Sequence, residues 1–311
     1  MRRPTIENLI VMPYCRNCGK ELKDEDLFCP RCGTPQREPG EEMYREDIDV
    51  DYPDIENPLL ELYVALSRSL KVSSGSEKLV EGTIEYDDPD LLPMISKTND
   101  GVTISQQDKY LTHRWSVPRN RWDLKLGTAK PYRLRLKTGV IQGELDLGGL
   151  PLTDLNLETG VSENHISFNE MNPTRMERLK VQTGIGETTL MGLLNANFSE
   201  LRLDGGVGQI VLNFTGKPIT EKAKLRIESG IGALTIEVPE NVSAMFHVSG
   251  LTSIGTRGSI RSLERSFGRG VFSTSAYSET KPTMEFDVSL GIGGVTIKTV
   301  SASETNMNPN P

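Results

Sequence analysis

The feature that most constrains the fold of this chain is a glycine-centred repeat that begins near residue 134. Six glycines anchor the repeat, and the first five follow one another at intervals of 21, 24, 22 and 24 residues. In every repeat the side chain is apolar five and three residues before the glycine, and one and six residues after it. Such regularity indicates that one structural unit recurs along the chain. The anchor glycines are Gly139, Gly160, Gly184, Gly206, Gly230 and Gly291.

The spacing of the apolar residues predicts that each unit is a bent strand. The apolar positions before the glycine and directly after it have odd offsets, whereas the position six residues after it has an even offset. Because side chains alternate between the two faces of a strand, this change of phase requires a bend or bulge just after the glycine. A second glycine often stands there, at Gly186, Gly208, Gly232 and Gly293. We therefore predict two strand arms joined by a glycine corner, with all four apolar positions turned inward.

The length of the repeat predicts the architecture. A unit of 21 to 24 residues fits one coil of a β-solenoid, in which coils stack ~4.8 Å apart. An antiparallel sandwich of β-hairpins is the alternative. We favour a mainly β protein whose coils form a solenoid similar to a right-handed β-helix over residues 121–300, with an N-terminal cap part over 58–120. Residues 301–311 are polar and are predicted to form a disordered tail.

All four cysteines lie in one short segment near the N-terminus. They form two Cys-x2-Cys pairs, Cys15 with Cys18 and Cys29 with Cys32, and a glycine follows each pair. Two such pairs supply four thiolates to one tetrahedral zinc ion and leave no open position for a reacting water. A redox dithiol pair or two disulfides are the alternatives. We predict a zinc ribbon over residues 12–35, with one structural Zn²⁺ held by these four cysteines.

The segment after the cysteines is strongly acidic. Ten acidic residues and only two arginines lie between Gln36 and Glu61. Low hydrophobicity and high like charge disfavour a packed structure, so residues 36–57 are predicted to be a flexible linker. An acidic docking segment is the alternative.

One segment is strongly basic, although the chain as a whole has a net charge of −8. Nine basic residues and a single acid lie between Lys109 and Lys137, with Trp115 and Trp122 among them. Such a segment can attract nucleic acid or anionic lipid. The alternative is a solvated outer face of the solenoid. The residues expected to make these contacts are Lys109, Arg114, Arg119, Arg121 and Lys125.

Four stretches of the sequence resemble a known family of domains. They are Leu79–Tyr86, Arg121–Leu124, Gly143–Leu147 and Gly192–Asn197. Together with the glycine–apolar–glycine turns, they are similar to the bacterial toast-rack domains and to the cell-wall-active-antibiotics-response (LiaF-like) C-terminal domains. The resemblance covers residues 60–300. It implies a toast-rack-like β-solenoid domain over residues 58–300 and a non-enzymatic role in envelope-stress regulation or self-assembly.

The sequence shows no pattern typical of an active site. The three histidines lie in different repeats. The glycine corners also lack the third glycine and the following helix of a dinucleotide-binding loop. We expect a non-enzymatic scaffold or regulatory protein-interaction module, with a protein partner or self-assembly and no small-molecule substrate. A nucleic-acid-associated regulator that uses the zinc ribbon and residues 109–137 is one alternative, and a surface adhesin is another.

Hydropathy predicts the location. No apolar stretch approaches the ~20 residues that a membrane-spanning helix needs, and no secretion signal is recognisable. We expect a cytoplasmic protein that reaches the membrane only through partners.

Overall fold

The fold consists almost entirely of β-strands. The computed structural model of the protein describes residues 18–20, 30–32, 43–106, 119–217 and 219–301. Within these ranges the helical elements are two short 3₁₀ turns, Pro89–Leu91 and Leu193–Ala196. The strands are β1 (Tyr44–Val50), β2 (Leu59–Ser76), β3 (Val80–Tyr86), β4 (Met94–Lys97), β5 (Gly101–Ser105), β6 (Asn120–Gly127), β7 (Tyr132–Asp146), β8 (Leu152–Ser167), β9 (Met176–Met191), β10 (Phe198–Asn213), β11 (Ala223–Pro239), β12 (Ala244–Arg257), β13 (Ile260–Ser266), β14 (Arg269–Thr274) and β15 (Met284–Val300).

Eight long strands form the body of the fold as parallel coils. They lie side by side in the order β2, β7, β8, β9, β10, β11, β15, β12. Equivalent repeat positions face one another, so that Leu155 of β8 lies between Leu134 of β7 and Leu179 of β9. Strands of a hairpin sandwich would run antiparallel to their neighbours. The parallel stack therefore confirms the β-solenoid, and the sandwich alternative is wrong.

Each coil bends at its anchor glycine. The apolar side chains five and three residues before the glycine, and six residues after it, are at most 3% exposed and belong to one continuous core. In β7, Thr138 and Ile141 on either side of the corner are also buried, whereas Val140 is half exposed. Two consecutive residues, the glycine and its successor, thus fall outside the core. The predicted bend is present, but the prediction that the residue directly after the glycine turns inward is wrong.

Glycine is required at these corners because the coils approach closely. A Cβ atom placed on Gly206 would overlap the carbonyl oxygen of Gly184 in the neighbouring coil. A Cβ atom on Gly208 would likewise overlap the carbonyl oxygen of Gly186. The φ of Gly208, +146°, is also one that other residues rarely adopt. The two glycines of each corner are therefore part of the stacking itself.

The stack does not follow the order of the sequence at its C-terminal end. β15, the last strand of the chain, lies between β11 and β12 and pairs in parallel with both. β12 also lacks an anchor glycine, because Gly250 faces Leu290 and Leu251 faces Ile292, with nothing opposite Gly291. Leu251 thus takes the position after the glycine. The antiparallel hairpin of β13 and β14 follows, consistent with the serine-rich and glycine-rich sequence there.

The structure of the acidic segment differs from the predicted flexible linker. From Tyr44 onward it is the strand β1, which pairs antiparallel with β3. Ile48 and Val50 are buried, and they alternate with acidic residues on the outer face. Asp49 on that face pairs with Lys78 at 2.5 Å. The flexible linker predicted over 36–57 is therefore wrong for residues 44–50, because alternation lets an acidic strand bury its apolar side chains. The rest of that linker up to residue 42 lies outside the described residues.

Candidate interaction surface

The zinc-ribbon prediction falls mainly outside the described residues. Cys15 and Cys29 are not described, and neither is the tail from residue 302. Cys18 is half-buried and Cys32 is exposed. The four thiolates predicted from the sequence match the donor set that Zn²⁺ prefers in structural sites.

The basic residues of the segment 109–137 do not form a continuous positive surface where they are described. Arg119 donates from Nε to the Asp87 carboxylate at 3.2 Å. Arg121 and Lys125 lie on β6 directly opposite Glu85 and Glu81 of β3. Further along, acidic residues of neighbouring strands and of one turn pair with the basic ones: Arg133 with Asp100 at 2.6 Å, Arg135 with Glu61 at 3.3 Å, and Lys137 with Glu158 at 3.3 Å.

Trp122, which the sequence places among the basic residues, is not available for stacking on a base. Its side chain is fully buried, and its Nε1 donates to Asn120 Oδ1 at 3.2 Å. Trp115, Lys109 and Arg114 lie outside the described residues. The described part of the segment is thus a charge-balanced outer face.

A row of exposed apolar side chains runs along the glycine corners of the stack. We call it the corner ridge. Its members occupy equivalent positions on seven adjacent coils, which corresponds to a length of about 29 Å at the usual strand spacing. Each of the first six is 47 to 57% exposed and Leu251 is 69% exposed. In stacking order they are Val140, Val161, Ile185, Val207, Ile231, Ile292 and Leu251.

A shallow groove lies beside the corner ridge. It has a volume of about 510 Å³ and is lined by glycine backbone and by polar side chains that include Glu158, Gln182 and Asp204. Its carboxylates have basic neighbours, because Glu158 pairs with Lys137 and Asp204 pairs with Arg202 at 3.2 Å. The groove is therefore polar but largely charge-balanced.

One coil further, the same ion-pair pattern continues beyond the groove. Arg226 Nε donates to Glu228 Oε1 at 2.6 Å, and this hydrogen bond raises the pKa of Arg226 above its ordinary value. Arg226 and Glu228 take the positions that Arg202 and Asp204 take on β10. The adjacent coils β10 and β11 thus carry equivalent ion pairs on the flank of the corner ridge.

The sequence contains all members of the corner ridge but does not reveal their exposure. Their apolar character suggests burial, and only the place of the bulge turns them outward. The residues just before the glycines, such as Thr138, Thr159 and Thr183, continue the alternation of the first arm for either placement of the bulge. They therefore do not indicate whether the residue after the glycine faces the core or the solvent.

A second cavity, of about 500 Å³, lies beside the C-terminal hairpin, and charged side chains of both signs line it together with His247: Glu264, Asp287, Arg265 and Arg269. His165 and His247 are exposed on β8 and β12, which are separated by several coils. No group of three or more His, Cys, Asp or Glu side chains in the described ranges is arranged to hold a metal ion. Within these ranges, too, no helix has the length and apolar character needed to cross a membrane.

Two family models match the sequence. The N-terminal domain of toast_rack, a domain of unknown function numbered 2154, matches residues 38–191, and the zinc-ribbon domain matches residues 14–36. The first match begins before β1, in agreement with the structural role of the acidic strand. The second match includes all four cysteines. No curated protein matches the chain.

The chain is also similar, at low sequence identity, to solved structures. A "putative cell adhesion protein" from Clostridium sporogenes ATCC 15579 is 19% identical, with 83% of this chain and 100% of that chain covered and a TM-score of 0.46. A "putative adhesin" from Bacteroides fragilis NCTC 9343 is 13% identical, with 84% and 99% covered and a TM-score of 0.44.

Proposed function

We propose that this protein, a toast-rack domain protein with an N-terminal zinc ribbon, is a non-enzymatic scaffold that binds a protein partner along the corner ridge. The observation that carries the proposal is the alignment of seven exposed apolar side chains in one row. Contiguous apolar surface of this kind is typical of interaction sites. Half-burial of one such side chain contributes ~1 kcal/mol, so that a partner covering the row gains several kcal/mol before the cost of association.

The surroundings of the corner ridge favour a protein over a nucleic acid as the partner. A nucleic acid requires unpaired basic groups that follow its phosphates. The described basic residues of the segment 109–137 instead lie opposite or pair with carboxylates, except for Lys130, which lies over the ring of Tyr52, and Trp122 is buried. Apolar side chains beside a polar, charge-balanced groove suit the mixed surface of a protein.

The resemblance of the sequence to the LiaF-like and toast-rack domains supports a proposal for the biological setting. We place the scaffold in envelope-stress regulation, as a cytoplasmic protein that reaches the membrane through its partner. The zinc ribbon is then a second, independently folded contact module, since a four-thiolate zinc site is structural.

Photo-crosslinking from the corner ridge tests the protein-partner proposal. A photoreactive amino acid at Val207 should form a covalent adduct with a different protein in cells, and Ile231→Glu in the same chain should reduce that adduct at least about tenfold, since a buried unpaired charge costs several kcal/mol. Thr235, which lies on the second arm of the neighbouring coil β11, is the control position for the crosslinker. Equal crosslinking from Val207 and Thr235, or no adduct with another protein, would overturn the proposal.

Metal analysis tests the zinc site. We expect the purified full chain to hold one equivalent of Zn²⁺, and replacement of all four cysteines by serine to remove it. Because a segment this short cannot build a core of its own, the metal should supply most of its folding energy. Chelation should therefore expose residues 12–35 to protease and leave the strand signal of the solenoid unchanged. Retention of zinc by the four-serine variant would show that the ligands are elsewhere.

A further inference from the structure

In the described part of the chain, one arm of the solenoid ends without a covering strand. In the stack, β12 is the outermost long coil, and its first arm is covered by β14 at residues 245–249. Among the described residues, no strand pairs with the outer side of its second arm, Leu251–Arg257, which we call the open edge. An unpaired strand edge of this length is a template for another strand, since each of its backbone groups seeks a hydrogen bond.

The backbone groups available at the open edge can be assigned. Arg265 Nη2, which reaches over from the hairpin, donates to the carbonyl oxygen of Ile254 at 2.6 Å. That carbonyl therefore points away from β15. Because backbone groups two residues apart point to the same side of a strand, Thr252 and Thr256 also present their N–H and C=O groups to the open edge. The guanidinium of Arg265 thus makes one of the hydrogen bonds that a pairing strand would make.

The open edge is complementary to itself. If two copies pair antiparallel around Ile254, Thr252 of each copy lies opposite Thr256 of the other. Ile254 then lies opposite its own equivalent, and Ser253 lies opposite Gly255. The three residues with outward-pointing backbone groups all fall at hydrogen-bonded positions in this register. Between Leu251 and Thr256 the open edge carries no charge that would oppose the pairing.

Exposed apolar side chains lie at one end of the open edge. Gly250 N–H donates to the carbonyl oxygen of Gly268 at 2.9 Å, which brings the turn of the hairpin beside Leu251. Phe267 in that turn is 92% exposed, and Leu251 is 69% exposed. A second copy in antiparallel orientation would place its own strand end over these side chains.

At the opposite end of the stack, the outermost strand carries charged side chains that hinder pairing with a further strand, unlike the open edge. There the outermost strand of the second arm is β1, whose outward residues include Arg45, Asp47 and Asp49. Charged residues on an outer strand hinder further pairing. Head-to-tail growth of the stack is thus disfavoured, whereas pairing of two open edges closes after two copies.

We propose that the open edge Leu251–Arg257 is a self-association site, at which a second copy of this chain pairs antiparallel around Ile254 to form a two-fold symmetric dimer. The site is distinct from the partner-binding face described above, apart from Leu251, which belongs to both. Arg265 competes with the incoming strand for the carbonyl oxygen of Ile254 and weakens the dimer.

Sedimentation velocity of the full chain over a range of concentrations tests the dimer. We expect a monomer–dimer equilibrium that Thr256→Pro weakens at least about tenfold, because proline removes an N–H that points to the open edge. Thr256→Val, which keeps that N–H, is the matched control and should dimerise like the original chain. Arg265→Ala should strengthen the dimer. A chain that remains monomeric at every concentration would overturn the proposal.

A charge swap tests the register and does not depend on proline. Gly255→Glu and Ser253→Lys each place like charges near one another across the two-fold axis, so each variant alone should dimerise less. In a mixture, the new glutamate of one chain lies opposite the new lysine of the other, and heterodimers should form more tightly than either homodimer. A mixture that associates no better than its components would exclude this antiparallel pairing.

Discussion

Replacement of Gly208 by alanine should destabilise the solenoid by at least about 3 kcal/mol. Two effects combine at this position. The φ of +146° is unfavourable for alanine, and the added Cβ would overlap the carbonyl oxygen of Gly186 in the adjacent coil. Relief would require the two coils to separate, which would disturb the parallel pairing of β9 and β10 along both arms. Urea-induced unfolding followed by circular dichroism measures the loss as a lower transition midpoint.

Gly255→Ala is the matched control for this prediction. Gly255 also lies on a long coil, but its φ is not in the left-handed region, and a Cβ there meets no atom closer than 3.8 Å. Its free energy of unfolding should change by less than about 1 kcal/mol. If the two alanine variants unfold at the same urea concentration, the corner glycines do not serve close stacking.

Phe286→Ala should produce the second large effect, a loss of about 3 to 5 kcal/mol. Phe286 is fully buried in β15, where its ring stacks on Phe246 of β12 with centroids 4.5 Å apart. On the other side it meets Phe214 edge-on, with centroids 5.1 Å apart. Removing the ring would leave a cavity between three segments that are distant in sequence. Thermal unfolding of the variant should begin at a clearly lower temperature.

Phe267→Ala controls for the general effect of losing a phenylalanine. Phe267 is 92% exposed in the turn between β13 and β14, so its replacement should change stability by no more than about 0.5 kcal/mol. The contrast also tests the unusual order of the strands. If Phe286→Ala were as mild as Phe267→Ala, β15 would not lie inside the stack between β11 and β12.

The prediction of the solenoid succeeded because its signal is repeated and local. Equivalent apolar residues such as Leu134, Leu155 and Leu179 recur at one coil length, and in the structure they face one another in register. Any sequence that must fill the same core position in every coil carries this periodicity. The four cysteines give a signal that is equally local, since their short spacing suits the reach of one metal ion, and the zinc site stays a prediction.

The acidic segment was misread because average composition hides alternation. Residues 44–50 look like a solvated linker when only their charge is counted. Ile48 and Val50 are nevertheless placed two apart, and β3 offers an edge on which they become buried. The existence of that edge depends on residues more than 30 positions away, which composition does not reveal.

The candidate interaction surface was predictable in its residues but not in its orientation. The row from Val140 to Ile292 is evident in the repeat, yet a single bulge decides whether it faces the core or the solvent. A shift of one residue reverses every side chain of a strand. The apolar pattern alone allows the bulge at the glycine or just after it, and these two placements give opposite faces to Val140.

Periodicity was thus enough to determine the coil, its length and its glycine corner from local sequence, and the cysteine spacing predicts the zinc ligands. Contacts between distant residues determine three other features of the described part of the chain: the insertion of β15 between β11 and β12, the second arm of β12 without a pairing strand, and the outward row of apolar side chains. Each coil of such a stack offers nearly the same edge to any other coil. Small differences in packing, such as the stacking of Phe286 on Phe246, therefore determine which coil lies next to which.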